Sequence, residues 1–191
     1  MKDGFPAQLP ALPTVNLPPA RALITAAIDV APLVRTNTPT AIQTGRFIKA
    51  FSYSGPAATV HLAQDAQDGK KIFADRDDWF ARLPAELKGS DYVQAAGANR
   101  LYNAVDLMEL TVKAGSVVSI AHDDRLPRPD WLTRQFKSSE LSVAIEARPM
   151  SVFQRRATGD ESLTLGANTE KSGVSECHMY IVFVNAVAGA P

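Results

Sequence analysis

Met108-Glu109-Leu110-Thr111-Val112-Lys113-Ala114-Gly115-Ser116-Val117-Val118-Ser119-Ile120-Ala121 holds two apolar runs parted by Lys113-Ala114-Gly115. β-Branched residues are frequent in both runs and suit a pleated strand better than a helix. In the first run Met108, Leu110 and Val112 alternate with Glu109 and Thr111. That period of two belongs to a strand with one buried and one wet face. Glycine closing a short connector supplies the positive φ that a tight reversal needs. The stretch therefore predicts two antiparallel strands joined as a β-hairpin at Gly115.

Similar runs extend in both directions. Upstream, Phe47-Ile48-Lys49-Ala50-Phe51-Ser52-Tyr53 alternates imperfectly and stops at the turn signal Ser54-Gly55-Pro56. Ala58-Thr59-Val60-His61-Leu62, Ile72-Phe73 and Tyr92-Val93 continue the series. Downstream come Leu141 to Ile145, Met150 to Gln154, Ser162 to Leu165 and Met179 to Val184. The last of these is apolar on both faces and is expected at the centre of its sheet. About ten strands recur at intervals of roughly ten residues, with one or two short helices. The crossover helices that parallel strands require are missing. An all-β fold follows, an antiparallel, jelly-roll-like β-sandwich.

Ahead of the strands lie Pro6, Pro10, Pro13, Pro18 and Pro19. Proline fixes φ and lacks an amide hydrogen, so residues 1–20 are read as an extended arm in front of a single sandwich over 21–191. Arg21 to Val30 could form a short helix or a strand, ended by Pro32. Twenty basic residues balance twenty acidic ones over 191 residues. With no basic excess to neutralise a row of phosphates, nucleic acid is not an expected partner. No apolar run reaches the roughly 20 residues of a membrane span, and the first residues lack the apolar core of a signal peptide. Cys177 alone forms no intrachain disulfide and reads as a small apolar strand residue.

No nucleophile elbow, phosphate loop, dinucleotide fingerprint or His-Glu-x-x-His motif occurs. His61, His122 and His178 are not at metal-ligand spacing. No catalytic residue, metal or cofactor is expected, and the chain is read as not an enzyme. The densest polar stretch is Ala121 to Leu132, which holds His122, Asp123, Asp124, Arg125, Arg128 and Trp131 and is stiffened by Pro127 and Pro129. Planar donors and acceptors beside an aromatic face are the groups that hold a sugar ring. A structural account competes: Asp123 or Asp124 pairs with Arg125 inside the loop, and Trp131 plugs one end of the sandwich. Trp79, in Asp75-Arg76-Asp77-Asp78-Trp79-Phe80, is a further stacking candidate, with one of Trp79 and Phe80 expected in the core.

The order of these segments carries a resemblance. Phe73-Ala74-Asp75-Arg76, Leu83-Pro84, Leu87-Lys88-Gly89, Tyr92-Val93 and Leu110-Thr111-Val112 come first. Val118 to Arg125, Pro129, Trp131-Leu132, Phe153, Leu163 to Gly166 and Met179 to Val182 follow. This resembles an accessory β-sandwich domain of secreted bacterial polysaccharide-active proteins such as lyases and glycoside hydrolases. The resemblance implies a secreted or periplasmic setting and a non-catalytic role, with a polysaccharide as ligand. Such domains usually sit in longer chains. A nearly solitary one behind an arm also suits a structural subunit, which would dock on a larger assembly, or on a copy of itself, through the arm and a sheet edge.

Overall fold

The computed structural model describes residues 43–57, 59–170 and 176–187. The arm over 1–20 and the stretch Arg21 to Val30 lie outside the described residues. Nine strands are present among those described: β1 (Ile48–Tyr53), β2 (His61–Ala63), β3 (Asp91–Gln94), β4 (Met108–Val112), β5 (Ser116–Asp123), β6 (Lys137–Ile145), β7 (Arg148–Arg156), β8 (Glu161–Leu165) and β9 (Ile181–Ala186). One α-helix, α1 (Asp130–Gln135), and two short 3-10 helices, Ala85–Leu87 and Gly97–Leu101, join them. The strands form a three-stranded sheet, β1-β4-β8, and a six-stranded sheet, β2-β3-β9-β5-β7-β6, and every pair is antiparallel. The fold is the all-β sandwich that the alternating runs implied.

Alternation decides which residues the small sheet buries. Met108, Leu110 and Val112 of β4, with Leu163 and Leu165 of β8, are buried, while Glu109, Ser162 and Thr164 are exposed. In β1 the buried positions are Ile48, Phe51 and Tyr53, a step of three followed by a step of two. A bulge between Ile48 and Ala50 absorbs the extra residue, and this is why the sequence alternates imperfectly there. The buried residues of both sheets join in one apolar cluster. Strand β9 lies between β3 and β5 with Ile181 to Val184 all buried, as its two-sided apolarity required.

The hairpin at Gly115 is corrected by the structure. Strand β4 pairs with β1 and β8, and β5 pairs with β7 and β9, so Lys113-Ala114-Gly115 bridges the two sheets. Both strands spend both edges on other partners, which leaves none for each other. The connector's own groups are satisfied from the ends of each sheet. Gly115 N–H donates to Ala157 O at 2.9 Å, Val187 N–H to Gly115 O at 3.0 Å, and Lys113 N–H to Phe47 O at 3.0 Å. Gly115 has φ of 75°, the conformation for which glycine was read. A second tie between the sheets is the buried Asp91, whose Oδ2 accepts the amides of Phe47 (2.5 Å) and Ile48 (3.1 Å).

Other boundaries moved as well. Ile72-Phe73 is buried but forms no strand; an isolated bridge pairs its neighbour Lys71 with Trp79. Cys177 is buried in the irregular segment before β9, not in a strand. Among the described residues the one adjacent-strand hairpin with a two-residue turn is β6–β7, where Ile145 pairs with Arg148. Its turn residues Glu146 (φ 49°) and Ala147 (φ 62°) occupy left-handed space that asparagine and glycine fill at less cost. Replacing the pair by Asn-Gly should raise stability by about 1 kcal/mol, read as a higher denaturant midpoint with an unchanged slope.

Candidate functional site

Strand β5 runs two residues further than its apolar run suggested, and His122 and Asp123 are its last members. Both are 1% exposed. They are thereby removed from the surface loop where they were expected, because the sheet ladder continues through them to Ser151 and Met150 of β7. His122 Nε2 lies 2.9 Å from Asn168 O. Burial lowers its pKa, with the Asn168 carbonyl and the nearby aspartates acting in the opposite sense.

Asp123 is the hub of this region. Its Oδ1 accepts the backbone N–H (3.0 Å) and Nε–H (2.9 Å) of Arg125, and its Oδ2 accepts Arg125 Nη2 (2.5 Å) and the His178 amide (2.7 Å). Burial raises the carboxyl's pKa, but the guanidinium and the two amides outweigh it and hold the group down at about 2. The arginine's partner is thus Asp123. Asp124 is exposed and accepts the Ser151 amide at 3.2 Å. Arg128 is exposed and lays its guanidinium 4.8 Å from the centre of the Phe153 ring.

Asn168, to which the sequence drew no attention, does as much. Its Nδ2 donates to His178 O (2.9 Å) and Arg100 O (3.2 Å), and its Oδ1 accepts the Tyr180 amide (3.2 Å). Because Tyr180 N–H is taken by a side chain, the β9 ladder begins only at Ile181. An amide with a donor and an acceptor on one head suits this bridging, and only its local Gly166-Ala167 context hinted at irregular backbone. His178, stacked on Phe73, has both ring nitrogens buried without a partner among the described residues. Burial lowers its pKa too.

The same hub carries the chain into α1. Pro129 is extended and starts the helix, Leu132 is fully buried, and Asp130 pairs with Arg134 at 2.6 Å one turn on. Trp131 is half-buried. Its indole N–H donates to Ala167 O at 2.8 Å, and its ring packs edge-on to Phe136 and tilted on Tyr180. A Cβ on Gly166 would stand 2.8 Å from Trp131 Cδ1, so only glycine lets the ring lie on this backbone. The remaining indole surface lines a groove of about 350 Å³ with Asn103, Val105, Asp130, Arg134, Gln135 and Glu170 among its walls. Glu170 Oε1 accepts the Asp130 amide at 3.2 Å.

The predicted candidates therefore separate. His122 and Asp123 are buried, and the exposed Arg125 reaches in to pair with Asp123; Asp124 and Arg128 lie on the surface, and Trp131 alone reaches the groove. Trp79 is 54% exposed, with Phe80 in the core, and is not part of the groove. Among the described residues no group of three or more His, Cys, Asp or Glu is placed to hold a metal. Asp123 points inward and Asp124 outward, so the two share no ion.

No family model matches the chain. It is 30% identical over 136 residues to a beta-glucuronidase of Formosa agariphila, over 71% of the chain and 14% of that protein. A solved structure titled a beta-glucuronidase from glycoside hydrolase family 2 matches with a TM-score of 0.71 at 28% identity, over 75% of the chain and 15% of its own. The chain is homologous to an accessory region of a family 2 glycoside hydrolase. It spans about a seventh of the length of these relatives.

Acid should unfold the protein in two stages. The two histidines have folded pKa values below their ordinary 6.5, so stability falls as pH drops through and below that value. Asp123, depressed from 3.8 to about 2, contributes stability that is present above 3.8 and lost between about pH 4 and 2. In urea midpoints measured against pH, Asp123→Asn should cost about 2 kcal/mol at neutral pH and lack the second stage. His178→Leu, which removes two unpaired buried nitrogens, should weaken the first stage without loss of stability at pH 8.

Proposed function

We propose that this protein is a non-catalytic, carbohydrate-binding accessory module of an extracytoplasmic polysaccharide-active system, with the groove at Trp131 as its binding site. The observation that carries the reading is the composition of that groove. A partly exposed indole held immobile from behind offers a face to the C–H side of a sugar ring at little entropic cost. Arg134, Gln135 and Asn103 supply donors, and Asp130 and Glu170 supply acceptors, for hydroxyls around it. Homology to part of a beta-glucuronidase supports the same setting, since accessory regions of such enzymes work beside a carbohydrate substrate.

Within the described residues the most strongly perturbed carboxylate, Asp123, is buried and fully occupied by its partners, which favours a binding role over catalysis at this loop. No helix among the described residues is long and apolar enough to cross a membrane. A second reading, docking on a larger assembly, draws on the exposed Val105 (89%) and Leu101 (47%) at the same end of the chain's 97–107 stretch. A docking face there would be covered by protein, and free saccharides would not bind.

A glycan array followed by calorimetric titration tests the proposal. Arg134→Ala and Gln135→Ala should each weaken saccharide binding at least about tenfold while leaving the melting temperature within about 2 °C, because both side chains lie at the groove surface. Absence of binding to any saccharide, or full binding by both variants, would reject it.

A further inference from the structure

We infer that the groove between the Arg82–Lys88 loop and strand β6 binds the anionic group of an acidic saccharide, at a second site that shares no residue with the Trp131 groove. The choice of a saccharide rests on the carbohydrate-binding reading above; the choice of an anion does not. The loop is fixed from below. Leu83 and Leu87 are buried, and Ala66 N–H donates to Ser90 O and Gly89 N–H to Ala66 O, both at 2.9 Å. Asp68 clamps the loop from the side: its Oδ1 accepts the Leu83 amide and its Oδ2 accepts Lys88 Nζ, each at 2.7 Å. Across the groove β6 buries Val143 and Ile145, so Ser142 and Ala144 face outward. With Arg82 these elements line a groove of about 510 Å³, within the range of small-molecule sites.

Three charged side chains line it: Asp68, Arg82 and Lys88. Each Asp68 oxygen already accepts one bond, and Lys88 keeps donors beyond the one that it gives to Asp68. Arg82 is exposed and acts on Asp68 only through space, without a hydrogen bond or ion pair among the described residues. Its planar fork is therefore uncommitted. A carboxylate meets such a fork with two parallel N–H···O bonds, and a sulfate ester does so with two of its oxygens. An anion is received here without breaking any existing pair. Ser142 and the second lone pairs of Asp68 suit the hydroxyls beside it. Asp68 also disfavours polyphosphates, whose further charges it would repel. At about 4 Å in a watery groove, one such charge contact amounts to roughly a fivefold gain in affinity at low salt.

Matched ligands test this on the intact protein and on its Arg134→Ala variant, in which the Trp131 groove is weakened. Neutral gluco-, manno- and galacto-oligosaccharides are titrated beside their C6-oxidised uronates, the methyl esters of those uronates and the 6-O-sulfates. The uronate should bind about fivefold or more tighter than its ester at low ionic strength, and the gap should narrow in high salt. Arg82→Ala should bring uronate and ester within about twofold of each other. It should leave the melting temperature within about 2 °C, because the side chain has no partner to lose. Arg82→Lys should keep part of the gap, since the charge stays and the fork is lost. A sulfate that shares the uronate's advantage supports recognition of the anion in general, and one that lacks it supports recognition of the planar carboxylate. A uronate that binds no tighter than its ester, or a gap that Arg82→Ala leaves intact, would overturn the site. So would an oligoglutamate peptide that binds tighter than the uronate. An Arg82-dependent gap beside full neutral binding by Arg134→Ala and Gln135→Ala would uphold this site and reject the Trp131 groove. Failure of every saccharide to bind would overturn both.

Discussion

The carboxylate of Asp123 holds one end of this sandwich together. It sits at the last position of β5, out of water, and accepts four hydrogen bonds from Arg125 and the amide of His178. A buried anion is tolerable only when its lone pairs are filled and a counter-charge is near, and here both conditions are met by residues two and fifty-five positions away. The short-range contact turns the chain sharply after β5. The long-range one fastens the segment that leads into β9. Everything between Arg125 and Phe136, including the helix that presents Trp131, hangs from that turn.

Asn168 extends the same design. Backbone leaving a ladder must find partners elsewhere, and in the stretch from Gly166 to Tyr180 the partners are side chains. Asn168 serves the carbonyls of His178 and Arg100 and the amide of Tyr180; Tyr180 in turn gives its hydroxyl to Gly166 O at 3.0 Å. The indole of Trp131 then packs on Tyr180 and closes over Gly166. One buried network therefore sets the position of the ring whose outer surface forms the groove. The structural account of this loop holds for Asp123 and Arg125 at its back, and the proposed ligand platform concerns only Trp131 at its front.

Homology to a small part of a beta-glucuronidase fits a sandwich whose polar residues mostly secure its own end. Six-stranded and three-stranded sheets packed through one apolar cluster give a rigid support. A site mounted on such a support can keep its geometry without chemistry of its own.

Local pattern alone determined the fold class, the placement of most strands and the central position of β9, because burial on one or both faces of a strand is written in every second residue. The bulge in β1 was visible as the broken alternation of Ile48, Phe51 and Tyr53 without being readable as a bulge. What pattern could not decide was which strand pairs with which. Lys113-Ala114-Gly115 reads identically as a hairpin turn and as a bridge between sheets, since the difference lies in whether distant strands occupy the edges of β4 and β5. The same limit applied to the polar loop. Whether Asp123 faces inward, and whether it or Asp124 takes Arg125, depends on where the ladder with β7 ends. The partners His178, Asn168 and Glu170 lie some forty to fifty-five residues along the chain, and only the closed tertiary structure brings them to the site.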